Sequence, residues 1–190
     1  MIYLSTDMHP FEVDNVLQTL TILVDTREQP TARFKKRIEA MGAPAKRHKL
    51  DFGDYSAMVM LPNGEEFSLQ DKVCIERKMD INELCSCFCQ ERARFTREFE
   101  RAKEAGAKTY LLVENATWEN IYNGNYRSLM NPHSLVASIN AWLVRYDCVL
   151  IFCKPETTGK FIRDILFREM KERLAGEIKK QTVSRKSQRL

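Results

Sequence analysis

Three short apolar runs set the frame of this chain: TILVD at 21–25, TYLLVE at 109–114 and CVLIFC at 148–153. Each is too short for an independent helix, rich in β-branched or aromatic residues, and separated from the next by segments whose apolar residues recur every three or four positions. Residues 31–41 are predicted helical, opened by Pro30 and stopped by Gly42 and Pro44. A longer helical stretch covers 81–105, broken near Gln90 and stopped by Gly106, with Phe95, Phe99 and Ala102 on one face and Arg94, Arg97 and Arg101 on another. Asn131-Pro132 opens a helix that turns Leu135, Ile139, Trp142 and Leu143 inward, and a last helix spans 157–175 with Ile162, Ile165, Leu166 and Met170 along one side. Between the first and second helices the chain folds back on itself. A short strand at 49–52 and another at 55–61 precede the turn Pro62-Asn63-Gly64, and the chain returns through 66–69 and 73–78. The fold class that follows is α/β: a mixed central sheet flanked by helices on both faces, in a single domain.

At 190 residues and 44% hydrophobic, the chain suits one domain and a modest core. The longest continuous apolar run, CVLIFC, has six residues, far from the roughly 20 of a spanning helix. The first twenty residues read as an N-terminal extension without a signal-peptide pattern. A soluble, intracellular (cytoplasmic) protein with no membrane partner is expected. Cys74, Cys148 and Cys153 lie in strand-like runs where a reduced cysteine is a small hydrophobe, and the C-x-C-x-C run of Cys85, Cys87 and Cys89 lacks the second ligand pair of a zinc site. They read as structural thiols of a reducing compartment. The net charge of +4 resides entirely in residues 177–190, where Lys179, Lys180, Arg185, Lys186 and Arg189 face Glu177 alone. This basic tail suits either a solvated terminus or a phosphate-binding arm.

The chemistry concentrates where the strand VCI runs straight into Glu76-Arg77-Lys78. The hairpin brings Gly53-Asp54 beside that charged end. Asp54 and Glu76 then offer two carboxylates for a hard, oxygen-seeking cation such as Mg²⁺. Alternation along the strand places Glu76 and Lys78 on one face, so an ammonium stands beside the acids, able to position or deprotonate water or to offset phosphoryl charge. An aspartate at one hairpin end with Glu-x-Lys on the next strand resembles the PD-(D/E)xK signature of restriction-endonuclease-like nucleases.

Three motifs in order, VDTRE at 24–28, GDY at 53–55 and IERK at 75–78, resemble the nuclease domain of the XPF-type structure-specific endonucleases, in a compact form like the phage or bacterial relatives. The domain is expected to span 21–176, between the extension and the tail. The resemblance implies a Mg²⁺-dependent endodeoxyribonuclease, with Mn²⁺ as a substitute, that cuts branched or flap DNA in repair, recombination or phage DNA processing. It implies Asp54 and Glu76 as metal ligands with Asp25 and Glu28 in the same cluster, Lys78 acting on the attacking water or scissile phosphate, and Arg27 and Arg77 orienting acids or binding phosphate. Arg94, Arg97 and Arg101 then read as DNA contacts, or else as a solvated face paired with Glu91 and Glu98. Glu114 reads as site support or a helix cap. The family's acid four residues after the lysine falls on Asn82, between Asp80 and Glu83. Alternative readings are a catalytically inactive DNA-binding or partner subunit and a restriction-type nuclease of the same fold. A homodimer is expected from the family habit and from Phe161 and Phe167, which fall outside the last helix's apolar stripe.

Overall fold

The computed structural model describes residues 8–176; Lys179, Lys180, Arg185 and Lys186 of the basic tail lie outside them. In chain order the elements are α1 (Pro10–Leu17), β1 (Thr21–Asp25), α2 (Ala32–Met41), β2 (Ala45–His48), β3 (Tyr55–Met60), β4 (Glu66–Ser68), β5 (Val73–Lys78), α3 (Ile81–Phe88), α4 (Arg92–Glu104), β6 (Lys108–Glu114), α5 (Trp118–Tyr122), α6 (Pro132–Tyr146), β7 (Val149–Cys153) and α7 (Pro155–Leu174). The strands form one mixed sheet in the order β2-β1-β3-β5-β6-β7, with β4 paired to β3. β1 and β2, β5 and β6, and β6 and β7 are parallel; β3 is antiparallel to β1, β4 and β5. The expected α/β class and helix-flanked sheet are therefore present.

Alternation along the central strands splits the apolar residues between two cores. Val73, Ile75 and Leu112 join α1, α2 and α7 on one face, whereas Leu111 and Val113 join α3, α4, α5 and α6 on the other. The second core centres on Trp142, fully buried and ringed by Phe88, Phe95, Phe99 and Tyr146 at centroid distances of 5.0, 5.6, 6.3 and 5.4 Å. Cys85 and Cys87 are buried thiols of the same core, while Cys89 is exposed. Among the described residues no helix is long and apolar enough to cross a membrane.

Several local expectations need correction. Pro30 does not begin α2: Thr31 is its N-cap, with Oγ1 accepting from Phe34 N at 3.2 Å. The strand expected at 49–52 is replaced by β2 at Ala45–His48, because Leu50 N donates to the Asp25 side chain at 2.8 Å and leaves the ladder. Part of the segment read as an extension is α1, capped by His9 and Glu12, with Val13, Val16 and Leu17 on its buried face. Phe167 packs on the first core, so of the two phenylalanines only Phe161 is exposed.

Helices α2 and α7 cross closely at Gly159. A Cβ there would lie 2.3 Å from Arg37 O and 2.9 Å from Ala40 Cβ, too close for either to accommodate without separating the helices. Gly159→Ala is expected to cost about 1–3 kcal/mol by overpacking, read as a lowered urea midpoint; an unchanged midpoint would contradict this crossing.

Candidate active site

The C-terminal ends of the parallel strands and the turn before β3 meet at one edge of the sheet. Gly53 adopts φ +72°, and a Cβ there would sit 2.7 Å from Cys74 Cβ, so only glycine lets the turn press against β5. Asp54 N donates to Ile75 O at 2.9 Å, and Arg77 N donates to Asp54 Oδ2 at 2.8 Å. The backbone of the IERK strand therefore fixes Asp54 from both sides. Glu76 and Lys78, on the same face, are 3% and 5% exposed and joined by a 2.5 Å bond from Lys78 Nζ to Glu76 Oε1. Lys78 also lies 5.1 Å from the centroid of the Phe95 ring, a favourable seat for a cation.

The other oxygen of Glu76, Oε2, is buried without a hydrogen-bond partner. Burial and then the neighbouring Glu76 carboxylate push the Asp54 carboxyl well above its usual range, against the pull of Lys78. Burial likewise raises Glu76, with Lys78 opposing. Burial alone depresses the Lys78 amine, but Glu76 and Asp54 outweigh it and hold the amine above its ordinary value, hence protonated.

The other predicted acids are held by protein donors. Asp25, wholly buried, accepts from Arg27 N and Nε on Oδ1 at 2.8 and 2.6 Å and from Leu50 N on Oδ2 at 2.8 Å. Burial opposes its ionisation, yet these bonds outweigh it and hold the carboxyl below its usual range. Glu28 Oε2 accepts from Arg37 and from the Tyr55 hydroxyl, each at 2.7 Å, and Arg37 Nε donates to Tyr55 at 2.8 Å. Among the described residues no three Asp, Glu, His or Cys side chains converge to hold a metal ion. The four-acid ligand set is thus not assembled as a cage: Arg27 and Leu50 engage Asp25, Arg37 and Tyr55 engage Glu28, and Lys78 occupies one oxygen of Glu76.

On the opposite face of β5, Arg77 forms a two-pronged pair with Glu114, Nε to Oε1 at 2.9 Å and Nη2 to Oε2 at 2.8 Å. Glu114 is therefore a support, clamping β6 to the strand whose backbone grips Asp54, and not a helix cap. At the start of α3, Asp80 is the N-cap, with Oδ1 accepting from Glu83 N at 2.9 Å. Asn82 Oδ1 accepts from Arg127 N and Ser128 N at 2.8 and 3.0 Å. Its oxygen is spent on a loop, and Glu83 is the acid of this turn that comes near the site, 4.0 Å from Lys78 Nζ.

Along α4, Arg94, Arg97 and Arg101 are exposed. Arg94 pairs with Glu91, and Arg101 Nε donates to Asp51 O at 2.9 Å, which ties the stripe to the loop entering Gly53-Asp54. Glu98 does not share that surface. It is buried, accepts from Gly53 N at 3.2 Å and lies 3.5 Å from Arg27 Nη2. Glu98 and the Arg37–Tyr55 pair are site residues that sequence reasoning missed. A signal existed for Glu98, since it falls between Phe95, Phe99 and Ala102 on the helical wheel; Arg37 and Tyr55 carried none beyond proximity to the motifs.

The ERCC4 domain model matches residues 24–165, a span holding all three motifs. Among solved structures, XPF from Aeropyrum pernix is similar in fold, with TM-score 0.55 and 21% identity over 78% of this chain and 61% of that one. XPF from Aeropyrum pernix in complex with DNA gives TM-score 0.53 and 24% identity over 78% and 63%. This chain spans about six-tenths of those structures. No curated protein is significantly similar in sequence. Family match, fold and motif order agree: the chain belongs to the ERCC4 domain family and carries an XPF-type nuclease domain.

Proposed function

We propose that this protein is a metal-dependent endodeoxyribonuclease that hydrolyses phosphodiester bonds in branched or flap DNA, serving repair, recombination or phage DNA processing. The observation that carries the reading is the buried, partnerless Oε2 of Glu76 beside Asp54. Two neighbouring carboxylates that bind protons tightly, one with an unmet oxygen, suit a hard divalent cation completed by waters and phosphate oxygens. Mg²⁺ fits this donor set, with Mn²⁺ as a substitute. A cation held by Asp54 and Glu76 would supply Lewis-acid polarisation of the phosphoryl group and a more acidic bound water.

The chain's own residues do the rest. Asp54 and Glu76 supply the acidic pole, and Lys78, protonated and desolvated, offsets negative charge on the phosphoryl oxygens or orients water. Asp25 and Glu28 act as positioning acids. Asp25 fixes the 49–52 loop through Leu50, and Glu28 fixes Tyr55, next to Asp54. Arg27 and Arg77 orient acids, Asp25 and Glu114 respectively. Arg94, Arg97 and Arg101, with Lys179, Lys180, Arg185 and Lys186 of the tail, contact phosphates of the bound DNA. The DNA-bound relative of the same fold supports this partner. Free thiols suit a reducing, intracellular location. A homodimer is proposed, for which exposed Phe161 on α7 is one candidate contact. Light scattering at micromolar concentration should give twice the 22.2 kDa chain mass, and a monomer alone would remove the dimer.

Labelled flap, fork, Holliday and linear DNAs incubated with Mg²⁺ or Mn²⁺ should be cut by the wild type, with preference for the branched forms. Asp54→Ala and Lys78→Ala should each lose about 10²–10³ in rate; undiminished activity in both would dismiss the site, and an inert wild type would favour the inactive-subunit reading. The same carboxylates set a pH dependence. Asp54 and Glu76 bind protons more tightly folded than unfolded, so their contribution to stability declines as pH rises above the unfolded carboxylate value of about 4 and through the raised folded values. In EDTA at pH 8, Asp54→Asn should raise Tm by about 2 °C or more, and the gain should vanish near pH 4. A variant that melts below wild type at pH 8 would contradict the buried repulsion.

A further inference from the structure

Residues 1–176 balance to zero charge, but the fold does not spread that balance evenly. Residues 31–49 contain Arg33, Lys35, Lys36, Arg37, Lys46, Arg47 and Lys49 against Glu39 alone, a net +6. Arg37 is buried on Glu28 and Tyr55; the other six are exposed. None of those six has a carboxylate within ion-pair distance among the described residues, which sets them apart from Arg94, Lys108, Arg168 and Lys171. Like charges gathered without counter-charges raise the local potential and attract a polyanion.

Their placement decides which polyanion. β2 is the outermost strand and runs parallel to β1, with Arg47 opposite Val24 on the α2 side of the sheet, over the Phe34 ring, and Lys46 opposite Leu23 on the other side. His48, the last residue of β2, stands opposite Asp25. Lys49 therefore emerges at the same sheet edge as Asp25 and Asp54. Arg47 Nη2 donates to Thr26 O and Glu28 O at 2.6 and 2.7 Å, so the basic strand is fastened to the VDTRE segment. From α2, Arg33 and Lys36 line a cleft of about 320 Å³ with Arg37, Glu114, Pro155 and Glu156, at the C-terminal end of β6. α4 packs on the opposite face of the sheet from α2, and its arginine stripe is tethered through Arg101 to Asp51 O.

We propose that the α2–β2 face is a second phosphate-backbone track, holding the DNA arm that leaves the carboxylate centre on the side away from α4. The proposal rests on the nuclease reading and deepens it. Contact is to the phosphodiester backbone, so it adds affinity and salt sensitivity but no base preference. A substrate gripped on both sides of the centre presents its scissile bond over Asp54 and Glu76, and a branch point between the tracks leaves each arm on one of them.

The test is fluorescence anisotropy with a labelled flap DNA in EDTA, over a series of KCl concentrations, using the full chain. The Arg33→Gln, Lys36→Gln, Lys49→Gln triple variant removes three exposed charges and no buried contact. The slope of log K against log salt should fall by about 3, one for each lost phosphate contact, with equal weakening for two flaps of unrelated sequence. A wild-type slope in this variant overturns the proposal while leaving the nuclease reading intact. A wild type that shows no salt-dependent DNA binding overturns both.

Discussion

One buried ammonium organises the centre of this molecule. Lys78 sits on the Phe95 ring, bonds Glu76 and holds two raised carboxyls in company they do not otherwise tolerate. Removing its charge leaves two desolvated acids facing each other, with Glu98 close behind. The aromatic cluster around Trp142 therefore has an electrostatic consequence as well as a packing one. By walling the site with rings it denies Lys78 water, which strengthens the amine's attraction to Glu76 and Asp54.

Support for that centre comes from both faces of the sheet and follows a division of labour. The α4 side supplies Phe95 and Glu98, which press on Lys78 and on the Gly53 amide. The α2 side supplies Arg37, which with Tyr55 immobilises Glu28, while Arg77 and Glu114 tie β5 to β6. Asp25 and Glu114, held by arginine hydrogen bonds that outweigh burial, bind protons weakly, whereas burial raises Asp54 and Glu76. The contrast separates groups that hold the scaffold from groups with binding capacity left over.

Much of this was legible from residue order. The period of the apolar runs gave the strands and main helices, and the hairpin between 55 and 78 foretold the meeting of Asp54 with Glu76. Roles within the acid cluster were not legible, because they depend on which donor reaches each oxygen: Leu50 N reaching Asp25 and Arg37 reaching Glu28 are contacts across 25 and nine residues. Asn82 likewise looked like a missing acid, and its actual partners are backbone amides 45 and 46 residues away. The short helices α1 and α5 escaped for a different reason, being one or two turns long and too brief to show a period.

The two borders of the sheet are unlike in a way that bears on handling the protein. β2, reading AKRH, carries Lys46 and Arg47 outward, and charges on an outer strand discourage another chain from adding to it. β7, reading VLIFC, ends the sheet on the other side with no further strand beside it among the described residues, and its side chains are only partly covered. Growth of the sheet by strand addition, whether as ordered assembly or as aggregation in concentrated solution, is therefore directed to β7 and blocked at β2.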